Sequence, residues 1–239
     1  MPRHVLVTGG GTGIGRACAA RFAKVGDRVW ITGRRAQTLN ATATELGVHP
    51  VLCDGTDPDQ LAQLRDELPA TIDVLVNNAG GNTDFDREKA HDLRALAANW
   101  LANLSANLLT AVLTTEALRD RLAEGGAVIN IGSIAADQGS GAYGAAKAAL
   151  ASWNAGLAAE LGRAGVTANV VSPGYIADTE FFRDHLTEGR RNDLIEATKT
   201  GRAGAPEDVA GTIAYLASPD ARHMTGQVLA VNGGTRTTR

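Results

Sequence analysis

The sequence predicts an α/β fold, a doubly wound parallel sheet in one domain. Three observations predict it. Short β-rich runs alternate with helical patterns along all 239 residues. Several runs are almost continuously apolar, as strands buried on both faces should be. No repeat, low-complexity segment or linker breaks the alternation, so residues 1–239 read as a single domain rather than two small ones.

The expected strands are Val5–Thr8, Arg28–Thr32, Val51–Cys53, Val74–Asn77, Ala127–Ile131, Thr167–Val171 and Val228–Val231. Each is rich in β-branched or aliphatic residues and bounded by turn formers. The expected helices are Ile14–Val25, Gln37–Leu46, Pro58–Leu68, Leu93–Ala123, Tyr143–Leu161 and Pro206–Ala217. Pro58 and Pro206 sit at first-turn positions, where a missing N–H costs nothing. The stretch 178–205 carries charges of both signs and reads as irregular. Because it follows a strand, it is expected to cover the crevice at the carboxyl ends of the strands as a substrate lid.

Charge excludes some functions. The net charge is −3, from 23 basic and 26 acidic residues, without a basic stripe, which argues against nucleic-acid binding. The longest uncharged stretch, from Asn99 to Thr115, contains Asn99, Asn103, Ser105 and Asn107, so it is not read as a membrane span. Only four residues precede the apolar run at Val5, too few for a signal peptide. Cys18 and Cys53 lack metal-ligand spacing and read as reduced core residues. The expected compartment is the cytoplasm, and no metal site is expected.

Chemistry concentrates at two places. The first is Thr8-Gly9-Gly10-Gly11-Thr12-Gly13-Ile14-Gly15, which follows a strand and opens a helix. Glycines allow a tight turn and close approach of a pyrophosphate, and the helix start offers unpaired N–H groups and a positive dipole end. The second is Tyr143 and Lys147, four apart and so on one helix face, with Ser133 ten residues upstream. An ammonium beside a phenol favours the phenolate, and a serine hydroxyl can hold a carbonyl oxygen. That equipment moves a proton to an oxygen while a hydride goes to the adjacent carbon.

The spacing Thr-Gly-x-x-x-Gly-Ile-Gly resembles that of the classical short-chain dehydrogenase/reductase family. Asn77-Asn78-Ala79-Gly80, Asn107, Ser133 with Tyr143 and Lys147, and Pro173-Gly174 are similar to the same family's motifs, and the resemblance runs from Val5 to about Gly234. It implies a Rossmann-type domain and a nicotinamide cofactor held by Gly9, Thr12, Gly13, Ile14, Gly15, Asn78, Ala79, Gly80, Pro173 and Gly174, with Tyr143 and Lys147 reaching the nicotinamide ribose side. Asp54, with Gly55 beside it, is implied at the adenine. The resemblance implies Tyr143 as proton donor, Lys147 as its partner, Ser133 on the substrate oxygen and Asn107 holding a water on the way to Lys147. The Thr usually found five residues past the Pro is displaced by one to Thr179, so the backbone of Ile176 is the alternative carboxamide contact. The second strand ends in Arg34-Arg35 rather than an acidic residue. Guanidinium pairs with a 2′-phosphate, so NADPH (NADP+) is expected over NADH.

Asn99, Asn103 and Asn107 form an i, i+4, i+8 stripe, which reads equally as a polar seam. A serine hydrolase is disfavoured, since Ser133 lacks a nucleophile-elbow context. A non-catalytic dinucleotide sensor on the same scaffold is a second alternative. Within the enzyme reading, the chain resembles β-ketoacyl-acyl-carrier-protein reductases and related ketoreductases. The expected reaction is reduction of a ketone, with a 3-oxoacyl thioester as one candidate and a secondary-metabolism, alcohol or sugar substrate as the other. A carrier would need a basic patch, for which Arg119, Arg121, Arg183, Arg190 and Arg191 are candidates. A homo-oligomer, a tetramer by resemblance, is expected through the helices Leu93–Ala123 and Tyr143–Leu161.

Overall fold

Strands whose successive side chains must both be buried need a layer of helices on each face. In the computed structural model, which describes residues 2–237, that arrangement is met by seven parallel strands. They are β1 (His4–Thr8), β2 (Arg28–Gly33), β3 (His49–Leu52), β4 (Ile72–Asn77), β5 (Leu122–Ile131), β6 (Thr167–Pro173) and β7 (Val228–Val231). Their order across the sheet is β3-β2-β1-β4-β5-β6-β7. The winding reverses between β1 and β4, so the connections there leave a crevice at the carboxyl ends of the strands.

The pleat divides the core in two. Val5 and Val7 of β1, Val74 and Val76 of β4, and Ile129 and Ile131 of β5 face one side. They meet Phe22 of α1 (Gly13–Lys24), Leu39 of α2 (Ala36–Leu46) and Ile213 of a later helix, Pro206–Leu216. Leu6, Leu75 and Val128 face the other side, against Leu61 and Leu64 of α3 (Pro58–Glu67). All of these side chains are almost wholly excluded from solvent, each contributing about 1.5–3 kcal/mol.

Three elements depart from the sequence expectation. The third strand starts at His49 rather than Val51 and takes in Pro50. It is an edge strand, where a residue without an N–H loses no ladder bond, and His49 stacks on Trp30 at 4.9 Å. The expected continuous helix Leu93–Ala123 is divided. It comprises α4 (Leu93–Leu104), one π-type turn over Ser105–Leu109, α5 (Thr110–Leu118) and a 3-10 turn over Arg119–Arg121, after which Leu122 pairs with Ile72 in the sheet. The apolar pattern runs through the whole segment, so periodicity did not reveal the wide turn.

The third departure is the stretch 178–205, which is not wholly irregular. After α6 (Gly141–Gly162) and β6, the chain leaves as a strap containing α7 (Glu188–Glu196) before α8 (Pro206–Leu216). Thr187 caps α7 by accepting from the Arg190 N–H at 3.2 Å. None of the α7 side chains is fully buried, so it has no apolar stripe for a sequence reading to find. Pairing at Ile176 and Gly204 closes the strap at its base: Ala177 N–H donates to Gly204 O at 2.8 Å, and Gly204 N–H to Tyr175 O at 3.0 Å.

Candidate active site

The turn after β1 is shaped by its backbone. Gly9 and Gly13 have φ of 63° and 53°, where a side chain would be strained. Gly15 lets α1 start tight against the turn, since a Cβ there would lie 2.2 Å from the Gly9 carbonyl oxygen. Thr8 Oγ1 accepts from the N–H groups of Asn78 and Ala79, each at 3.0 Å. Asn78 returns its Nδ2 to the carbonyls of Thr8 and Gly9, also at 3.0 Å. Asn78 therefore braces the turn rather than facing outward. Thr12, Gly13 and Arg16 line a cleft of about 510 Å³ opposite Thr179 and Glu180 of the strap. Ile14 packs against the core beneath. This glycine cradle, ending at the N-terminus of α1, fits the phosphates of a dinucleotide.

Around that cleft the two arginines part company. Arg35 donates to Glu180 of the strap, with Nη2 to Oε2 at 2.5 Å, and Thr12 Oγ1 reaches the same carboxylate at 3.4 Å. Arg34 is exposed and has no ion-pair partner among the described residues. Asp54 follows β3 and accepts from Thr56 N–H and Oγ1 through one carboxylate oxygen, at 3.0 and 2.7 Å. Gly55 lies beside Thr114 of α5.

Ser133 lies two residues past β5 and caps a 3-10 turn, its Oγ accepting from Ala135 N–H at 3.2 Å. Gly144 lets that turn press onto α6, because a Cβ there would stand 2.6 Å from Ala135 O. The result brings the Ser133 hydroxyl beside the Tyr143 phenol. Tyr143 and Lys147 are both buried. Burial pushes the phenol up to about 12, offset in part by Ser133. Burial also brings the Lys147 ammonium down to about 8. Lys147 Nζ donates to Ile131 O at 2.7 Å and lies 5.9 Å from the centre of the Tyr143 ring. Desolvation is the largest influence on the phenol, and the Lys147 ammonium donates to a backbone carbonyl.

Asn107 sits in the π-type turn and is fully buried. Its carboxamide is engaged at both ends by Gly81, accepting from the N–H at 3.0 Å and donating to the carbonyl at 2.9 Å. Gly80 permits that approach, as a Cβ there would come within 2.7 Å of Asn107 Oδ1. Asn103 similarly accepts from Thr83 N–H and donates to Asp84, and Asn99 donates to Glu88 O. The asparagine stripe is a seam that binds the loop following β4. On the far side, Gly174 N–H donates to Val231 O at 3.0 Å, closing the turn after Pro173. Asp178 adopts φ 55°, and Thr179 then donates to Ile176 O at 3.2 Å while its methyl faces Gly13.

The sequence reading missed several residues that shape the site. Asn77, Asn130 and Asn154 form a buried chain: Asn77 Nδ2 to Asn130 Oδ1 at 2.8 Å, and Asn130 Nδ2 to Asn154 Oδ1 at 2.9 Å. Asn154 lies two turns beyond Lys147 on α6, which was a readable signal on an otherwise apolar face. Phe85, Phe181 and Phe182 gather over Tyr143, with the Phe181 ring 5.4 Å from that of Tyr143. Glu180 reaches Arg35, a pairing no local pattern announces.

The chain is similar to known proteins along nearly its whole length. The family model described as Enoyl-(Acyl carrier protein) reductase matches residues 9–236. The chain is 37% identical over 245 residues to the (2S)-((R)-hydroxy(phenyl)methyl)succinyl-CoA dehydrogenase subunit BbsD of Thauera aromatica, covering 97% of this chain and 96% of that one. It is 35% identical over 242 residues to the 3-oxoacyl-acyl-carrier-protein reductase MabA of Mycobacterium bovis, covering 98% and 93%. Among solved structures, a blue fluorescent protein from a metagenomic library in complex with NADPH superposes with a TM-score of 0.84 at 33% identity, covering 98% of each chain. With its glycine turn, its buried Tyr143 and Lys147 beside Ser133, and relatives matched along nearly its whole length, the chain belongs to the short-chain dehydrogenase/reductase family of NAD(P)-dependent oxidoreductases.

Proposed function

We propose that this oxidoreductase uses NADPH to reduce a ketone to a secondary alcohol in the cytoplasm. The observation that carries the reading is the convergence of Ser133, Tyr143 and Lys147 at the end of β5 and start of α6, with Tyr143 and Lys147 buried. Bound NADPH would supply the hydride to the carbonyl carbon. Ser133 Oγ holds the substrate oxygen. Tyr143, kept protonated by burial, gives its proton to that oxygen as negative charge develops there. Lys147 then faces a phenolate and stabilises it. Asn107 fixes the loop that forms one wall of the site, and its surroundings hold the water proposed to reprotonate the pair. Thr179, against Gly13, and the backbone of Ile176 are proposed at the carboxamide end of the cofactor. Gly9, Thr12, Gly13, Ile14 and Gly15 are proposed at the pyrophosphate, and Asp54 with Gly55 at the adenine.

A carrier-bound 3-oxoacyl thioester is the finer candidate suggested by the MabA relative. The basic patch it would need is thin. Arg119 is paired with Glu116 and Glu160, Arg183 with Asp86, and Arg121 donates to backbone carbonyls of Arg65 and Leu68. Arg190 and Arg191 remain exposed on α7. A free ketone or a secondary-metabolism or sugar alcohol is the alternative substrate, and turnover on carrier-bound against free substrates separates them.

The proposed proton transfer predicts that Tyr143→Phe, which keeps the ring and removes the proton, abolishes most NADPH-dependent ketone reduction while NADPH still binds. Near wild-type turnover in that variant would end the mechanism.

Cofactor choice is assigned to Arg34, because Arg35 is engaged by Glu180. Arg34→Ala should weaken NADPH binding by about 1.5–3 kcal/mol and leave NADH binding almost unchanged, as measured by fluorescence titration. Equal losses for the two cofactors would show that Arg34 does not read the 2′-phosphate.

Lys147 also has a signature in stability. Burial lowers its value from 10.5 to about 8. In that window the unfolded chain binds a proton that the folded chain lacks, so stability from this group rises with pH. Lys147→Met removes the buried charge. Its thermal midpoint should exceed that of the wild type near neutral pH, and the gap should narrow by about pH 10. A gap that stays constant would show that the ammonium is not desolvated.

We further propose that the chain forms a homo-oligomer, a tetramer by family analogy. The run Leu93–Arg121 is long and apolar enough to cross a membrane. Its buried face, however, carries Asn103, Asn107, Thr114 and Thr115 packed within the fold. Its other face leaves Leu93 and Leu101 exposed by 82% and 65%. Beside it, Ala148, Ser152, Ala155 and Ala159 of α6 are exposed and small, so a second copy could approach closely. Light scattering should give two or four times the chain mass, and a stable active monomer at micromolar concentration would contradict this.

A further inference from the structure

We propose that the site accepts a ketone whose carbonyl bears an aromatic ring or a comparably flat unsaturated group, with Phe181 and Phe182 as specificity-determining residues. The inference rests on the Tyr143-centred reduction proposed above and names its substrate class.

The chain has four phenylalanines, three tyrosines and three tryptophans, and half of these ten are gathered in one place. Phe22 is in the core and Tyr215 lies on α8, whereas Phe85, Phe181, Phe182, Tyr143 and Tyr175 form one connected cluster. Phe181 is its centre. Its ring lies 5.4 Å from Tyr143, 4.9 Å from Phe182 at 87°, and 5.9 Å from Phe85 at 88°. Phe182 continues the wall to Tyr175 at 5.9 Å. Three of these contacts are edge-to-face, a geometry that aromatic pairs prefer, and the Phe181–Tyr143 contact is tilted at 54°.

The cluster is pinned from both sides. Phe85 belongs to the loop held by the Asn103 contacts with Thr83 and Asp84. The strap is fastened to that loop by Arg183 on Asp86 at 2.8 Å and by His185, which stacks on Phe85 and hydrogen-bonds its carbonyl. Phe181 and Phe182 are only half-buried, on a strap otherwise dominated by polar residues. Excluding water from Tyr143 requires only apolar bulk, which leucine or valine would provide. Three phenylalanine rings converging from two separate segments give a wall that distinguishes flat from puckered groups.

The test uses the full chain with NADPH and two β-keto esters that differ only in the ring, ethyl 3-oxo-3-phenylpropanoate and ethyl 3-cyclohexyl-3-oxopropanoate. The phenyl-to-cyclohexyl ratio of kcat/KM is compared across variants, which cancels the intrinsic reactivity of each ketone. Phe181→Leu should lower the ratio on the order of 3- to 10-fold, and Phe181→Tyr should keep it, because one ring contact is lost or retained. The same comparison without any substitution is inhibition of the wild type by 1-phenylethanol against 1-cyclohexylethanol, with the phenyl compound expected to bind more tightly. A ratio unchanged in Phe181→Leu, or tighter binding of the cyclohexyl alcohol, overturns the aromatic assignment alone. Reduction of neither ester, nor of any other ketone, overturns the reduction reading and this inference with it.

Discussion

Thr8 and Asn78 join the ends of β1 and β4 at the point where the sheet reverses its winding. One hydroxyl accepts two backbone N–H groups from the turn after β4, and one carboxamide returns to two carbonyls of the glycine turn. Both turns are thereby fixed in relation to each other, with their backbone polar groups satisfied internally. The glycine cradle, the start of α1 and the loop carrying Gly80 and Gly81 all inherit their positions from this lock. The loop after β4 is held a second time by Asn107, whose carboxamide engages Gly81.

A second constraint acts through α6. The buried chain from Asn77 to Asn130 to Asn154 links β4, β5 and the helix, and Asn154 continues to Ala168 O of β6. Such a network fixes helix rotation, since a slip would leave buried amides unpaired. Lys147 lies on the face so oriented, and its Nζ meets the carbonyl of Ile131 at the end of β5. Tyr143, one turn earlier, is then placed beside Ser133.

Burial of that pair sets the chemistry. Desolvation alone pushes the phenol up and the ammonium down, so both groups are poised toward their uncharged forms. A phenol held protonated is a proton donor, which suits a reaction that generates negative charge on oxygen. The strap places Phe181 against the Tyr143 ring and Glu180 on Arg35. It thus reaches both ends of the crevice, and its base is closed by the pairing of Ile176 with Gly204.

Much was legible in the sequence. Continuous apolar runs announced the parallel strands, and Gly9, Gly13 and Gly15 announced the tight turn after β1, because positive φ at Gly9 and Gly13 and close approach of the Gly9 carbonyl at Gly15 admit no other residue cheaply. Tyr143 and Lys147 were readable because helix geometry puts residues four apart on one face. Other features were decided only by tertiary structure. Whether Arg34 or Arg35 is engaged by the strap depended on Glu180, 145 residues away from Arg35. The π-type turn carries Asn107 to Gly81 of the loop after β4, a contact that apolar periodicity does not record. The aromatic wall required Phe85 and Phe181 to be brought together by separate connections at the same end of the sheet. Local sequence dictates what a segment can become; which distant charge, amide or ring it meets is settled by the packing that closes the crevice.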